Sequence, residues 1–427
     1  MKKYILLSLS LLTTASSFSQ LKDFKFKVYG QIRTDFYYNS RANQESVDGL
    51  FYLYPKNESL DANGKDLNAT PNSNFYTLYS RLGLDVAGPK LGTAQTSAKV
   101  EVDFRGSGTS YSVIRLRHAY FNLDWGKSAM LVGQTWHPLF GDVSPQILNL
   151  SVGAPFQPFS RAPQIRYRFT DKHIQLTGAL VWQSQYLSQG IDPENPTKSK
   201  KSQEYLKQGC LPEVFIGADY KTNGFLAGLG VEMLSMKPRT EASWEEQVYN
   251  SVIGNNIMST HTLKVNERIT TLSYEAHAKY SSPKWFIAAK TVLGSNLTQT
   301  SGLGGFGIKA IDQNTKEQKY TPIRFSSSWL NLVYGKKWKP GIFVGYAKNL
   351  GTSDELVSNQ LYGTGTNLDK LVTTGAELTY NVPHWKFGVE YTLSSAWYGK
   401  LNKLDGKITD SHSVSNSRIV AVAMFLF

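Results

Sequence analysis

The chain ends on RIVAVAMFLF, residues 418–427, a run with no charge after Arg418, no proline, and a bare phenylalanine at its last position. A β-forming segment of this kind left in water is an aggregation hazard, so something must pair with it and cover it. A core strand of a soluble domain would serve, and so would a strand facing lipid. The other end of the chain separates the two. Residues 1–20, MKKYILLSLSLLTTASSFSQ, carry two lysines, an apolar stretch from Tyr4 to Leu12, and small residues up to an expected cut after Ser19. That layout is a secretory signal peptide, and its apolar stretch is too short to span a bilayer. The expected division is a leader over 1–19 and a mature chain, exported from a bacterial cytoplasm, over 20–427.

Composition narrows the class. The single cysteine, Cys210, excludes an internal disulfide, and no uncharged apolar run of helix-spanning length follows the leader. No Pro/Ser-rich linker divides the 427 residues, so one large unit is expected. The net charge is +13, and removing Lys2 and Lys3 with the leader leaves +11. Loop lysines can meet anionic lipopolysaccharide, so this total says little about selectivity.

Apolar and polar residues alternate along most of the chain, while helical spacing is nearly absent. Phe24, Phe26, Val28, Ile32 and Phe36 share one face, with Lys25, Lys27, Gln31, Arg33 and Asp35 on the other. AKVEVDFRG (98–106) and ITTLSYEAHAKY (269–280) split in the same way. About sixteen such segments can be placed: 24–37, 74–87, 92–105, 111–125, 128–136, 163–170, 173–186, 212–221, 224–236, 266–281, 284–298, 323–336, 339–349, 370–382, 384–398 and 414–427. Their connectors alternate between short ones (GPKLG, WGKS, TDKH, KTNG, SSPK, KWKPG, NVPH) and mostly long ones, with a brief link at 106–110. Every proline is read as falling in a connector or at a strand start, as its missing amide donor requires.

Long antiparallel strands, tight turns on one side, long loops on the other and an even count describe a transmembrane antiparallel β-barrel. Closure of the first strand on the last would leave no edge and turn Ile419, Ala421, Ala423, Phe425 and Phe427 to lipid. The tryptophans fit this plan. Trp385 and Trp397 share a parity, and twelve residues at ~3.3 Å each with a tilt near 45° project to about 28 Å, close to the height between two aromatic girdles. Trp125, Trp285 and Trp338 sit beside short turns. Trp329 alone looks mid-strand. No plug domain is expected before the first strand.

Motifs for catalysis or cofactors are weak. GLGGFG (302–307) matches the glycine pattern of a dinucleotide turn but has no helical periodicity after it, so a flexible loop is expected. The seven histidines lack ligand pairing at i+2 or i+4, so no metal is expected. Ser112 and His118 share a parity on one segment but lie about 20 Å apart at 3.3 Å per residue, too far for proton transfer. No catalytic residue, cofactor or nucleic-acid partner is therefore assigned.

The connector HPLFGDVSPQILNLSVGAPFQPFSRAP (137–163) holds five prolines, three phenylalanines and little charge, with a helical turn expected through Ser144 to Leu150. A loop in water would not be this apolar. Packing against the inner wall would bury it and narrow the pore, with Asp142, Phe156 and Arg161 in the constriction over 137–162. A cap over the mouth, or a contact with a neighbouring subunit, is the alternative. The stretch RLRHAYF (115–121) followed by VGQTW (132–136) and this loop resembles the DcaP-like group of sixteen-stranded trimeric outer-membrane porins, and more distantly the phosphate-selective porins of Gram-negative bacteria. The detailed likeness covers about residues 111–170. It implies a homotrimer and a third loop folded into the lumen. The chain lacks the dense lysine run of the phosphate-selective pattern, which puts phosphate specificity in doubt. Parity breaks between Leu116 and Ala119, so a bulge is expected near His118.

With the polar parity inward, the first six segments present Lys25, Lys27, Arg33, Arg81, Lys99, Arg105, Arg115, Arg117, Arg166 and Arg168 against only Asp35, Asp85, Glu101 and Asp103. Later segments are mixed and include Glu377 and Glu390. A basic wall facing a mixed wall gives a transverse field that favours anions. Pairing of these charges among themselves is the alternative. The function expected is a passive outer-membrane porin for small hydrophilic solutes, favouring anions such as carboxylates, with lipid and lipopolysaccharide around it. The other readings are a phosphate or polyphosphate channel, a barrel enzyme, and a surface adhesin.

Overall fold

The computed structural model describes residues 23–46, 49–105, 113–250 and 255–427. The leader, Gln20, the brief link at 106–110 and Ser112 lie outside the described residues. Sixteen strands close into one antiparallel barrel. They are β1 (Lys25–Asn39), β2 (Arg81–Leu91), β3 (Ala94–Asp103), β4 (Arg115–Asp124), β5 (Ser128–Trp136), β6 (Arg161–Asp171), β7 (Ile174–Val181), β8 (Glu213–Thr222), β9 (Phe225–Met236), β10 (Ile269–Ser281), β11 (Trp285–Ser295), β12 (Gln318–Tyr334), β13 (Trp338–Gly351), β14 (Leu368–Val382), β15 (Trp385–Leu401) and β16 (Ile408–Leu426). Each expected segment overlaps one of them, and the seven short connectors mark the tight turns at one end.

Closure is as expected. β1 pairs with β16 from Gln31 opposite Leu426 to Asn39 opposite Arg418, and Gly30 exchanges backbone hydrogen bonds of 2.9 and 3.1 Å with Phe427. Every backbone donor along this seam thereby finds a partner, which a hydrocarbon surround demands. Alternation is clear in β7, where Ile174, Leu176 and Leu180 face out while Gln175, Thr177, Ala179 and Val181 are buried inward. Trp125, Trp285, Trp338 and Trp385 are exposed at the tight-turn end, and three of them touch a neighbouring strand's aromatic ring: Trp285 with Tyr334, Trp338 with Tyr380 and Trp385 with Phe425. Trp182 is exposed at the far end of β7.

The terminal run is apolar on both parities for two separate reasons. Ile419, Phe425 and Phe427 are exposed on the outer face. Val420, Val422 and Met424 are buried on the inner face, in one cluster with Leu148 and Leu150 of the third loop. That loop, 137–160, enters the lumen and makes no helical turn at Ser144 to Leu150, contrary to expectation. The amides of Gln146, Leu148 and Asn149 donate to wall side chains, so they cannot close a helix. Its Phe156 is buried against Phe343 of β13, and Trp329 points inward to donate from Nε1 to Gln157 at 2.9 Å. Each fully buried Leu or Phe contributes about 1.5–3 kcal/mol.

Four local expectations are corrected or sharpened. GLGGFG is no flexible loop: Gly304–Ile311 is a strand paired with the start of β12 and with Leu361–Thr364. A Cβ on Gly305 would lie 2.0 Å from the Tyr362 carbonyl, so the glycines serve close backbone approach. Pro89 and Pro322 lie within strands, the first at a register shift between Gly88 and Leu91, the second where β12 has Gly304–Ile311 as its one ladder partner. The segment 74–87 is interrupted: Asn72–Tyr76 pairs with the upper half of β1, and a turn through Leu78 and Tyr79 precedes β2. The bulge in β4 is present, with Arg117 the extra residue between Leu116 opposite Val102 and His118 opposite Glu101.

Candidate functional site

The interior of β1 to β6 carries an arginine cluster built around Tyr79. The break before β2 turns this tyrosine inward, where it is 4 % exposed. The guanidinium carbons of Arg81, Arg33, Arg105 and Arg117 lie 4.2, 5.2, 5.2 and 5.4 Å from its ring centroid. Arg117 also lies 5.8 Å from the Trp136 ring, and Arg161 lies 4.7 Å from the same ring and 5.5 Å from Tyr186. Guanidinium groups stack on aromatic faces because the ring quadrupole attracts them, at about 0.5–2 kcal/mol each. The rings thus hold like charges close together along one wall.

Carboxylates neutralise part of the cluster. Glu101 accepts from Arg117 at 2.5 Å, and Asp103 accepts from Arg117 at 3.0 Å and from Arg115 at 2.6 Å. Asp35 pairs with Arg33 at 2.6 Å, and Arg33 also donates to the Leu148 carbonyl at 2.7 Å. Arg81 reaches Glu101 at 4.0 Å. Six guanidiniums, those of Arg33, Arg81, Arg105, Arg115, Arg117 and Arg161, thus face three carboxylates, which leaves three positive charges.

The excess falls on Arg81, which reaches its shared carboxylate only at 4.0 Å, and above all on Arg105 and Arg161. Both side chains are fully buried, and Nε and Nη1 of each have no hydrogen-bond partner. Arg161 donates from Nη2 to the Tyr186 hydroxyl at 3.2 Å. Leaving buried N–H groups unpaired costs about 1–3 kcal/mol each, so such a site is stable only because the scaffold holds it. Beside it, Arg105, Arg115, Phe51, Gln185, Tyr186 and Lys201 line part of a cavity of about 740 Å³.

The remaining expected site residues lie elsewhere. Arg166 donates to Gln164 and to the Trp136 carbonyl, and Arg168 pairs with Asp142 at 3.1 Å. Asp142 also bonds Lys221 at 3.1 Å. Burial alone would raise its carboxyl, but Arg168 and Lys221 outweigh that and hold it below the usual carboxylate range. Arg168 and Lys221 anchor the third loop through Asp142, and Arg166 braces the end of β5, rather than joining the cluster. Phe156 points at the opposite wall. Arg161 is the first residue of β6, not part of the loop, and it belongs to the cluster. Glu377 and Glu390, read as open wall charges, accept the Leu148 amide at 2.9 and 2.7 Å, and Glu390 also accepts that of Asn149 at 3.1 Å.

Tyr79, Trp136 and Tyr186 were not singled out from the sequence as part of this site. Tyr79 sits in what reads as a continuous strand, and Tyr186 belongs to a long connector whose return into the lumen leaves no periodic signal.

A closed antiparallel barrel with tight turns at one end, long loops at the other and a third loop in the lumen is the architecture of outer-membrane porins. Residues 7–182 match the model described as DcaP outer membrane protein. Among solved structures, the outer membrane channel DcaP of Acinetobacter baumannii is 18% identical, with 95% of this chain and 97% of that one covered and a TM-score of 0.65. OmpT of Vibrio cholerae is 12% identical, covering 95% and 98%, at 0.52. The anion-selective porin from Comamonas acidovorans is 9% identical, covering 95% and 100%, also at 0.52. At these identities the likeness is one of fold. No curated protein matches the chain.

Proposed function

We propose that the protein is a passive diffusion channel of the bacterial outer membrane, exported by its leader over 1–19, and that it favours small anions such as carboxylates. The third loop is the constriction in this reading. The observation that carries it is the pair Arg105 and Arg161, buried guanidiniums with N–H groups that no protein atom satisfies. A carboxylate is their natural acceptor, since a guanidinium can offer it two parallel hydrogen bonds. Arg115 and Arg81, partly exposed and only partly neutralised, extend the attraction toward the cavity. Conduction requires each such site to be weak, and partial neutralisation by Glu101 and Asp103 weakens it. We further propose a homotrimer, a state named for one solved OmpT form of Vibrio cholerae that shares the fold.

The test is a reversal potential across a planar bilayer under a potassium chloride gradient. Wild type should show anion preference, and Arg105→Gln with Arg161→Gln should lower the anion-to-cation permeability ratio severalfold. A cation-preferring wild type, or an unchanged ratio in the folded double variant, would sink the reading.

A further inference from the structure

Five segments that are distant in the chain converge on a second polar cluster: His137 opening the third loop, Glu213 of β8, Glu232 of β9, Gln183 after β7, and Gln299 in the short turn Thr298–Thr300. Ligand atoms of His137, Glu213 and Glu232 all lie within 4.8 Å of one another, and the three residues are 1 % exposed or less. Nε2 of His137 is 3.1 Å from Glu213 Oε2. Gln299 Nε2 bridges the two carboxylates, at 3.1 Å from Glu213 and 3.3 Å from Glu232. Gln183 satisfies the other Glu213 oxygen at 2.8 Å.

Two features set this cluster apart from an ordinary wall network. Among the described residues, neither carboxylate has a salt bridge to lysine or arginine, so two buried acids lack a fixed counter-charge. Glu232 Oε2 and Gln299 Oε1 are also buried without any hydrogen-bond partner. Orphaned oxygens beside an imidazole and two carboxylates ask for a positive centre. A proton shared by the acid pair would supply one charge, whereas a divalent cation supplies the two that the carboxylates carry.

We propose that His137, Glu213, Glu232 and Gln299 form a site for one divalent first-row cation of the Zn²⁺ type. Three protein ligands of nitrogen and carboxylate oxygen suit such an ion, and imidazole disfavours a hard cation that takes six to eight oxygens. The amide of Gln299 turns over, so that Oε1 becomes a ligand and Nε2 no longer bridges the acids. His137 Nδ1 accepts the Leu139 amide at 3.2 Å, which places the ring proton on Nε2. Binding moves that proton to Nδ1, and the Leu139 amide must then leave it. The Leu139 carbonyl is held by Lys290 Nζ at 2.7 Å, so the change reaches the entry of the third loop. The cation would tie that loop, two strands and the turn before Gly304–Ile311 to one point. The site does not depend on the anion-channel reading.

The experiment is metal content of the folded full-length barrel, stripped with a chelator, incubated with Zn²⁺ alone and desalted, together with its melting temperature before and after. Wild type should retain about one Zn²⁺ per chain and melt several degrees higher, as expected for a ligand that binds only the native state. Glu232→Gln should lose at least tenfold in Zn²⁺ affinity and show no melting shift, and His137→Gln should do the same. A wild type that retains no Zn²⁺ and shows no shift overturns the proposal, whatever the variants do. Retention of wild-type Zn²⁺ by a folded Glu232→Gln barrel overturns it equally, because the metal would then sit on surface histidines.

Discussion

Gly30 and Phe427 hold the seam of the barrel: each backbone accepts from the other, and a Cβ on Gly30 would lie 2.5 Å from the Phe427 ring and 2.7 Å from the Arg81 carbonyl. The ring therefore lies over a position where no other residue fits. Closure fixes the last residue in register with the first strand.

Substitution at this seam should impair closure. Gly30→Val must displace both the ring and the β2 backbone, and deleting Phe427 removes two ladder bonds at the barrel's only join between chain ends. Both variants should reach the periplasm normally but give a several-fold smaller heat-modifiable barrel band from the outer membrane. Wild-type yield from either would show that the seam tolerates an open end.

Glu390 and Glu377 govern the third loop. Glu390→Ala leaves the Asn149 amide without its acceptor and the Leu148 amide with Glu377 alone, and losing both acids leaves two buried donors unpaired, at about 1–3 kcal/mol each. Combined with Glu377→Ala, it should loosen the loop without touching the ladder and raise single-channel conductance, as trimming residues 138–160 should. The shift in charge selectivity expected of open wall charges should be the smaller effect. Unchanged conductance with a selectivity shift would return both acids to the pore surface.

Acid should weaken the opposite anchor. Asp142 has a carboxyl held below its usual range by Arg168 and Lys221. A depressed folded value contributes stability that is fully present above the unfolded value, about 4, and is lost as pH falls through the folded one. Wild type should therefore melt above Asp142→Asn by a constant margin from pH 7 to about 5. The margin should narrow as pH drops below about 4. A margin that widens on acidification would exclude the ion pairs as its source.

Much of the plan was legible because a barrel writes itself in local terms. The period of two in Ile174 to Val181, the turn residues at Gly126 or Gly224, and the aromatic anchors Trp285 and Trp338 each report their own environment. The bulge at Arg117 was legible as a parity error. The site was harder. Arg33, Arg105 and Arg117 could be assigned to the inner face, and Asp35 lies two residues from Arg33 on the same strand, yet the pairing of Arg117 with Glu101 and Asp103 and the stacking of all three on Tyr79 depend on neighbours from other segments. The cluster of His137, Glu213 and Glu232 has no spacing to read, since its members are brought together by barrel register and a loop entry. Arg166 and Arg168 carry the same parity signal as Arg115, and only the path of the third loop separates them.

Arg117 and Arg105 should part company on substitution, although both are buried arginines beside Tyr79. Arg117 holds Glu101 and Asp103 together, so Arg117→Gln leaves two buried carboxylates short of a partner, a loss of about 3–5 kcal/mol. Arg105 makes no salt bridge among the described residues, and two of its nitrogens are unpaired, so Arg105→Gln removes an uncompensated charge. That change should leave the melting temperature unaltered or raised, and still reduce block by a dicarboxylate. Stability and anion binding would then be carried by different arginines of one cluster, the paired ones fixing the wall and the unpaired Arg105 bordering the cavity. Thermal melts and titrated block of the two variants in parallel decide it. If Arg105→Gln destabilises as much as Arg117→Gln while block is unchanged, the unpaired arginine is structural and the division is wrong.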